Sequence, residues 1–254
     1  MRKFAIILAG GTGSRAGGDL PKQFQPLCGR PVVWWSMQAF RRADPEIEMV
    51  LVVHPGYFDD WQILCDALPE ADRIPFTLSC GGRSRPESVA NGLLTVRDIL
   101  ADRGADAAEV AESVVLVHDG ARPLVSPEMI RRGLAALRSG CGAIPAVEPV
   151  SSLREVAQPS LPIEDRESRS VARNRYVEVQ TPQIFHYTLL RDCYSRGGDL
   201  SAYTDDASVA EAAGHRIHLY RGEESNLKVT HPSDFLIAGT LLRMRLDGTT
   251  DGQI

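Results

Sequence analysis

The run Phe4-Ala5-Ile6-Ile7-Leu8-Ala9-Gly10-Gly11-Thr12-Gly13-Ser14-Arg15 sets the fold class: an apolar stretch of strand length that ends directly in a glycine loop carrying a cation. A continuous apolar run of this length reads as a strand buried on both faces, the usual state in parallel sheets. Working outward, short apolar runs recur at Met49–His54, Phe76–Ser79, Val114–His118 and Gly142–Val147. Between them lie amphipathic stretches at Val32–Arg42, Tyr57–Leu68, Glu87–Leu100 and Pro127–Arg138, with Pro31 suited to the start of the first helix. Alternation of this kind predicts a Rossmann-like α/β fold, a mostly parallel twisted sheet with helices on both faces. Ligands of such sheets bind beyond the carboxyl ends of the strands, so the loops after the strands are where chemistry is expected.

The rhythm stops after Val147. Residues 148–179 are polar, with prolines at 149, 159 and 162 and a charged run Glu164–Arg169. A structureless loop that long is unusual in a compact domain, so an extended β-arm for dimerisation is expected there, inserted into a single domain of residues 1–246. Helices at Tyr187–Tyr194 and Asp206–Ala213, a strand at His215–Tyr220 and a last helix at Pro232–Arg243 complete the pattern, leaving residues 247–254 as a polar tail.

Bulk properties narrow the function classes. The 254 residues are 43% hydrophobic and 24% charged with a net charge of −5, which argues against a broad nucleic-acid surface. The five cysteines are dispersed, without CxxC spacing or histidine partners, as in a cytoplasmic protein with reduced thiols. The N-terminal apolar run is too short to span a membrane, and no membrane partner is expected.

Four places carry chemistry. In the first loop, Ala9, Gly10 and Gly11 leave backbone N–H groups open to a phosphate, and Arg15 and Lys22 (within Pro21-Lys22-Gln23) bring the charge. The P-loop ending GK[ST] is missing, and Gly11 and Gly13 are followed by Ala16 rather than the third glycine of a dinucleotide fingerprint. The second loop is Gly81-Gly82-Arg83-Ser84-Arg85-Pro86-Glu87-Ser88, where glycines admit a flat base or merely start a helix. Third, His118-Asp119-Gly120-Ala121-Arg122-Pro123 ends a strand: Asp119 is placed for Mg²⁺ or a ribose hydroxyl, or simply caps a turn, and His118 reads as a core histidine. Last come Thr181-Pro182-Gln183, Thr204-Asp205-Asp206 and Lys228, the lysine lying between Leu227 and Val229 in a strand-like run that points it either outward or into a site. No nucleophile–base triad or HExxH motif stands out, and glycine loops with cations favour phosphoryl or nucleotidyl transfer.

Taken in order, LAGGTGSR with PKQ, GGRSRPESV, VHDGARP, VARN, QTPQ, TDDAS and NLKVT with HPSD resemble the 2-C-methyl-D-erythritol 4-phosphate cytidylyltransferases over residues 3–243. The resemblance implies transfer of CMP from CTP to a polyol phosphate with Mg²⁺ as cofactor, by a cytoplasmic homodimer. It implies Arg15 and Lys22 at the CTP phosphates, Gly82, Arg85 and Ser88 at cytosine and ribose, and Asp119 with Gly120 beside the nucleotide and metal. Arg122 and Thr181 would support that loop. Lys228, Thr204, Ser152 and Arg173 would receive the polyol phosphate, the last two from the arm and Arg173 serving the neighbouring subunit. One departure stands out: where the family carries an acidic residue, this chain has Ser151 in Pro149-Val150-Ser151-Ser152-Leu153-Arg154. Ribitol 5-phosphate is therefore an alternative acceptor, and a nucleotide-binding module without catalysis is a second alternative.

Overall fold

The computed structural model describes residues 1–11 and 20–248. Its main sheet contains β1 (Lys3–Ala9), β4 (Ile47–Val53), β5 (Thr77–Cys80), β6 (Val114–Asp119), β7 (Cys141–Val147), β10 (Glu178–Val179), β11 (Gln183–His186) and β12 (Arg216–Arg221). From one edge the order is β5, β4, β1, β6, β11, β7, and β7 also pairs with β10 and β12. Neighbours are parallel except at β10 and β11, which run antiparallel. Ala143 pairs with both Ile184 and His218, and Ala146 with both Val179 and Arg221, so β10 and β11 share the flank of β7 opposite β12. Their register along β7 shifts by two residues between them, across Gln180-Thr181-Pro182, where the Thr181–Pro182 peptide is cis.

Strand alternation divides the core into two layers. Ala5 and Ile7 of β1 join Met49, Leu51 and Val53 on one face, beneath helices α1 (Val32–Ala43), α2 (Phe58–Asp66) and α5 (Pro127–Ala136). Phe4 and Ile6 join Val50 and Val52 on the other, beneath α3 (Arg85–Asp102), α6 (Tyr187–Ser195) and α7 (Asp206–Ala212). A third cluster seats α8 (Pro232–Leu246), through Ala238 and Leu242, on Leu27 of a two-residue ribbon formed by β2 (Pro26–Leu27) and β3 (Arg30–Pro31). The expected α/β architecture is thus present. Among the elements beyond the expectation are α4 (Ala107–Glu112), started by an Asp106–Glu109 capping box, the antiparallel β11, and the short β2, β3 and β10. One correction concerns residues 226–230, which are irregular rather than a strand.

Within the expected arm, β8 (Arg154–Val156) and β9 (Ser168–Ser170) pair as an antiparallel hairpin. Glu155 and Arg169 face each other across it with a 2.5 Å ion pair, and the charged run Glu164–Arg169 forms the turn and the return strand. No helix among the described residues is long and apolar enough to cross a membrane.

Gly142 of β7 leaves no room for a side chain against β11. A Cβ on Gly142 would fall 2.2 Å from Cε1 of the fully buried Phe185 and 2.9 Å from Ile217. Gly142→Ala is therefore expected to lower the unfolding free energy by about 1–3 kcal/mol through overpacking, read from the urea midpoint at constant m-value.

Candidate active site

The carboxyl ends of β1 and β6, the turn after β4 and the start of α3 enclose a cleft of about 600 Å³. It is lined by Gly10, Gly11, Lys22, Gln23, Gly82, Arg85, Ser88, Asp119 and Lys228, together with Leu8, His54, Arg83, Ser84 and Ala121. Residues spread over more than two hundred positions meet here because parallel strands deliver their following loops to one edge.

The glycine walls are held by side chains rather than by one another. Gln23 donates from Nε2 to the carbonyls of Ala9 (2.5 Å) and Gly11 (2.6 Å), which ties the segment bearing Lys22 to the end of β1. In the second loop, the Ser88 hydroxyl accepts from the Gly82 N–H (3.0 Å) and donates to the Ser84 carbonyl (2.9 Å). Ser84 caps α3 by accepting from the Glu87 N–H, and the Glu87 carboxylate takes the Arg83 N–H at 2.8 Å. Ser88 thus lines the cleft with its hydroxyl already committed to shaping the loop. Gly81 lies against the backbone of His54, where a Cβ would fall 3.1 Å from the His54 nitrogen, so the two loops approach where a side chain would intrude.

The floor is electrostatic. Asp119, 9% exposed, accepts from Lys228 Nζ at 2.7 Å and lies 3.5 Å from Arg85 Nε and 3.9 Å from Arg122 Nε. Burial opposes its ionisation, but Arg85, Lys228 and Arg122 outweigh burial and hold the carboxyl well below the usual range. Arg85 is shared: its Nη2 donates to Asp206 Oδ2 at 2.8 Å, and Tyr194 donates its hydroxyl to the other Asp206 oxygen at 2.6 Å. Burial disfavours the guanidinium charge, yet Asp206 and Asp119 keep Arg85 firmly protonated.

Behind the floor, the Thr181 hydroxyl accepts from the Asp119 N–H (3.1 Å) and lies 3.0 Å from His118 Nδ1. His118 Nε2 lies 3.3 Å from the Arg122 carbonyl. With the His118 proton on Nε2, the ring donates to that carbonyl and accepts from Thr181. Full burial lowers its pKa to about 4, so it is a neutral structural link and not a base in the cleft. Arg122 continues the support by donating to the Asn226 carbonyl at 2.7 Å, which fixes the irregular segment that presents Lys228.

The expected residues thus divide. Gly10, Gly11, Lys22, Gly82, Arg85, Ser88, Asp119 and Lys228 come together in the cleft. Ala9 contributes a carbonyl to Gln23, and buried Gly120 donates its N–H to Leu8 at 2.9 Å, where a Cβ would lie 2.9 Å from the same oxygen. Arg122 and Thr181 stand behind Asp119, the first 3.9 Å from its carboxylate and the second on its N–H. Thr204, Ser152 and Arg173 are exposed and do not line the cleft; Arg173 donates to the Val150 carbonyl within the arm. Arg15 lies outside the described residues.

Sequence reasoning missed Asp206, Tyr194, Gln183 and Gln23. Asp205 immediately precedes α7 and Asp206 is its first residue, and only Asp205 acts as the cap, accepting from the Ser208 N–H. Gln183 accepts from the Asp206 N–H at 3.0 Å and donates to Asp205 at 2.8 Å, so it orients both acids. The adjacent acids were a usable signal, because one helix start needs only one cap.

With this geometry in view, comparison with known proteins is direct. The family model for 2-C-methyl-D-erythritol 4-phosphate cytidylyltransferase (IspD) matches residues 4–244. The chain belongs to this family. The enzyme of that name from Bacteroides thetaiotaomicron is 38% identical over 243 residues, covering 95% of this chain and 100% of the relative. The one from Cereibacter sphaeroides is 41% identical over 244 residues, covering 96% and 98%. Among solved structures, the cytidylyltransferase of Thermus thermophilus superposes with a TM-score of 0.66 at 29% identity, covering 94% and 98%. A 4-diphosphocytidyl-2C-methyl-D-erythritol synthase gives 0.73 at 27% identity, covering 95% and 100%.

Two outcomes follow from the buried network. His118 has a folded pKa of about 4 against an ordinary 6.5, so the unfolded chain takes up the proton first as pH falls. Its contribution is complete above pH 6.5 and is lost towards pH 4, by about 3 kcal/mol, in urea titrations across that window. Asp206→Asn should raise the CTP Kd about tenfold or more by releasing Arg85, and should add nothing in an Arg85→Ala background, as a double-mutant cycle would report.

Proposed function

We propose that the chain transfers CMP from CTP to 2-C-methyl-D-erythritol 4-phosphate, giving 4-diphosphocytidyl-2-C-methyl-D-erythritol and pyrophosphate. Membership of the IspD family carries the reaction class, and the floor of the cleft supplies the observation that supports it here: Lys228 and Arg85 gathered on one buried carboxylate beneath two glycine walls. Cations fixed by buried partners hold their positions before substrate arrives, so stabilising new charge requires little reorganisation.

In this reading the glycine backbone at Gly10 and Gly11 faces the triphosphate, with Lys22 and Arg15 as its counter-charges. Gly82, Arg85 and Ser88 shape the nucleoside side. A phosphate oxygen of the polyol attacks the α-phosphorus in line, one P–O bond forms as the bond to the β-phosphate oxygen breaks, and pyrophosphate leaves with the electron pair. The attacking phosphate is already ionised, so no general base is needed, which agrees with the neutral, buried state of His118. Lys228, near the surface of the cleft with 43% of its side chain exposed, is the cation best placed to reach the acceptor phosphate.

A Mg²⁺ ion fits this donor set in one way. Asp119 is the sole carboxylate among the residues lining the cleft, and no cluster of three metal-type side chains occurs among the described residues. Mg²⁺ is commonly held by one or two carboxylates plus substrate phosphates. Asp119 would be its protein ligand, the triphosphate would supply the rest, and the ion would offset charge on the departing pyrophosphate.

Ser152 and Arg173 reach a cleft only if the arm extends to a second copy, so the proposal includes a homodimer in which each arm completes its neighbour's acceptor site. A cytoplasmic location accompanies it. Ser151 is then a tolerated variation, with Ser152 and Arg154 supplying a hydroxyl and a charge beside it.

Pyrophosphate release is expected when protein, CTP and Mg²⁺ meet methylerythritol 4-phosphate, with little from ribitol 5-phosphate in parallel; release from ribitol 5-phosphate alone would overturn the acceptor. Lys228→Ala should lower kcat/KM by about 10²–10³-fold, the loss typical of one stabilising donor, with the fold intact by circular dichroism.

A further inference from the structure

Arg85 is held at two of its three guanidinium nitrogens. Its Nε lies 3.5 Å from Asp119 Oδ1 and its Nη2 donates to Asp206 Oδ2 at 2.8 Å, whereas Nη1 makes no hydrogen bond among the described residues. A guanidinium is planar and rigid, so two carboxylates on two of its nitrogens fix the plane and with it the direction of the third. Arg85 lines the cleft with 23% of its side chain exposed, and Nη1 is the donor it has left for a ligand.

That direction depends on where Asp206 stands. Asp206 is fully buried, and its two oxygens are divided: Oδ2 takes Arg85, and Oδ1 takes the Tyr194 hydroxyl at 2.6 Å. The terminal torsion of an aspartate is broad, so a carboxylate bonded at one oxygen can still turn. Bonded at both oxygens it is locked.

Tyr194 belongs to α6 and Asp206 opens α7, and the chain between them runs through residues 196–205, with positive φ at Gly197 and Gly198. A connection of that length sets the start of α7 only loosely, so side chains decide the geometry. Gln183 takes the Asp206 N–H at 3.0 Å, and Tyr194 takes the carboxylate oxygen that Arg85 leaves. Burial and the Asp206 carboxylate push the Tyr194 hydroxyl far above its ordinary range, which keeps it a donor. The Tyr194 ring also packs against the core layer beneath α3 and α6. A phenylalanine would fill that space equally well, so packing alone does not account for the hydroxyl.

We propose that Tyr194 is a positioning residue for nucleotide binding: its hydroxyl locks the Asp206 carboxylate, which in turn aims Arg85 Nη1 into the cleft. The proposal rests on the nucleotide reading of the cleft for its ligand; the relay from Tyr194 to Arg85 does not.

Tyr194→Phe keeps the ring and removes the hydroxyl. Both the Kd and the KM for CTP should rise about fivefold, less than the full worth of a hydrogen bond to a charged group because the contact between Arg85 and Asp206 survives. The kcat, and the KM for methylerythritol 4-phosphate, should stay within twofold of wild type. In an Arg85→Ala background the same substitution should change the CTP Kd by less than twofold. A merely structural hydroxyl predicts a different pattern, a smaller active fraction that lowers kcat at unchanged KM. That pattern, wild-type CTP affinity in Tyr194→Phe, or an equal loss in both backgrounds would overturn the proposal. The relay is read separately, without nucleotide, from the Arg85 Nε–H resonance of the ¹⁵N-labelled protein, assigned by its loss in Arg85→Ala. Tyr194→Phe should shift this resonance and speed its exchange with water at least fivefold, and an unchanged resonance would overturn the relay. A wild-type protein whose Arg85 resonance responds in this way but which binds no CTP would overturn the nucleotide reading instead.

Discussion

The site depends on one carboxylate surrounded by cations. Arg85, Arg122 and Lys228 all lie within 4 Å of Asp119, and without it they would repel one another in a setting poorly screened by water. Two unit charges 4 Å apart interact by about 4 kcal/mol at an effective dielectric of 20, so three clustered cations need the intervening anion to be held in place. Asp206 is a second anion, reached by Arg85 alone. Three cations against two carboxylates leave a net positive floor, which suits a polyanionic ligand in a chain whose overall charge is −5. Local arrangement, not net charge, decides what such a protein attracts.

Much of the remaining structure keeps that carboxylate where it is. β6 carries Asp119 to its last position and pairs on one side with β1, so the glycine loop and the acid leave the sheet side by side. On its other side lies β11, and just before that strand Thr181 reaches the Asp119 N–H and His118. Placing an antiparallel strand inside a parallel sheet brings the QTPQ segment, distant in sequence, behind the floor. Asn226, fully buried, donates to the Thr181 carbonyl at 3.0 Å while its own carbonyl takes the Arg122 guanidinium. The same residue thus ties the support of Asp119 to the segment that presents Lys228. Neutral His118 is part of this scaffold, since a charged imidazolium there would have to be fully buried with the Arg122 guanidinium opposing it.

How much of this was legible depended on whether the signal was local. The strands and helices of the parallel half announce themselves through apolar period, glycine and proline, and they appear within a residue or two of expectation. Gly10, Gly11, Gly82 and Asp119 were legible for the same reason, each lying at or just after the end of a strand, with Lys22 marked by its place in the Pro21-Lys22-Gln23 segment. β11 was not, because four residues flanked by polar segments carry too little periodicity to declare a strand. Lys228 was placed in the site, but its apolar neighbours suggested a strand where the chain is irregular: Val229 is buried against α8 and the ribbon rather than within the sheet. Asp206 was hidden by its neighbour, since Asp205 alone satisfied the local capping rule, and its partner Arg85 lies 121 residues away. The doubled acid is the local trace of it; which distant group the spare acid meets leaves no mark in a single sequence.

The arm raises a different physical question. Its paired strands are three residues each, and an isolated two-stranded hairpin is marginal in water. The segment also exposes Val150 at 81%, Ile163 at 74% and Tyr176 at 49%, which a monomer has no evident reason to leave in solvent. On the proposed reading, a second copy answers both points, because covering these side chains contributes the burial that three-residue strands cannot. The same contact brings Ser152 and Arg173 to a cleft whose own chain lines it with groups suited to the nucleotide and the triphosphate. Folding of the arm, assembly and completion of the acceptor half would then be one event, and a chain that cannot pair would keep its CTP site while losing the polyol.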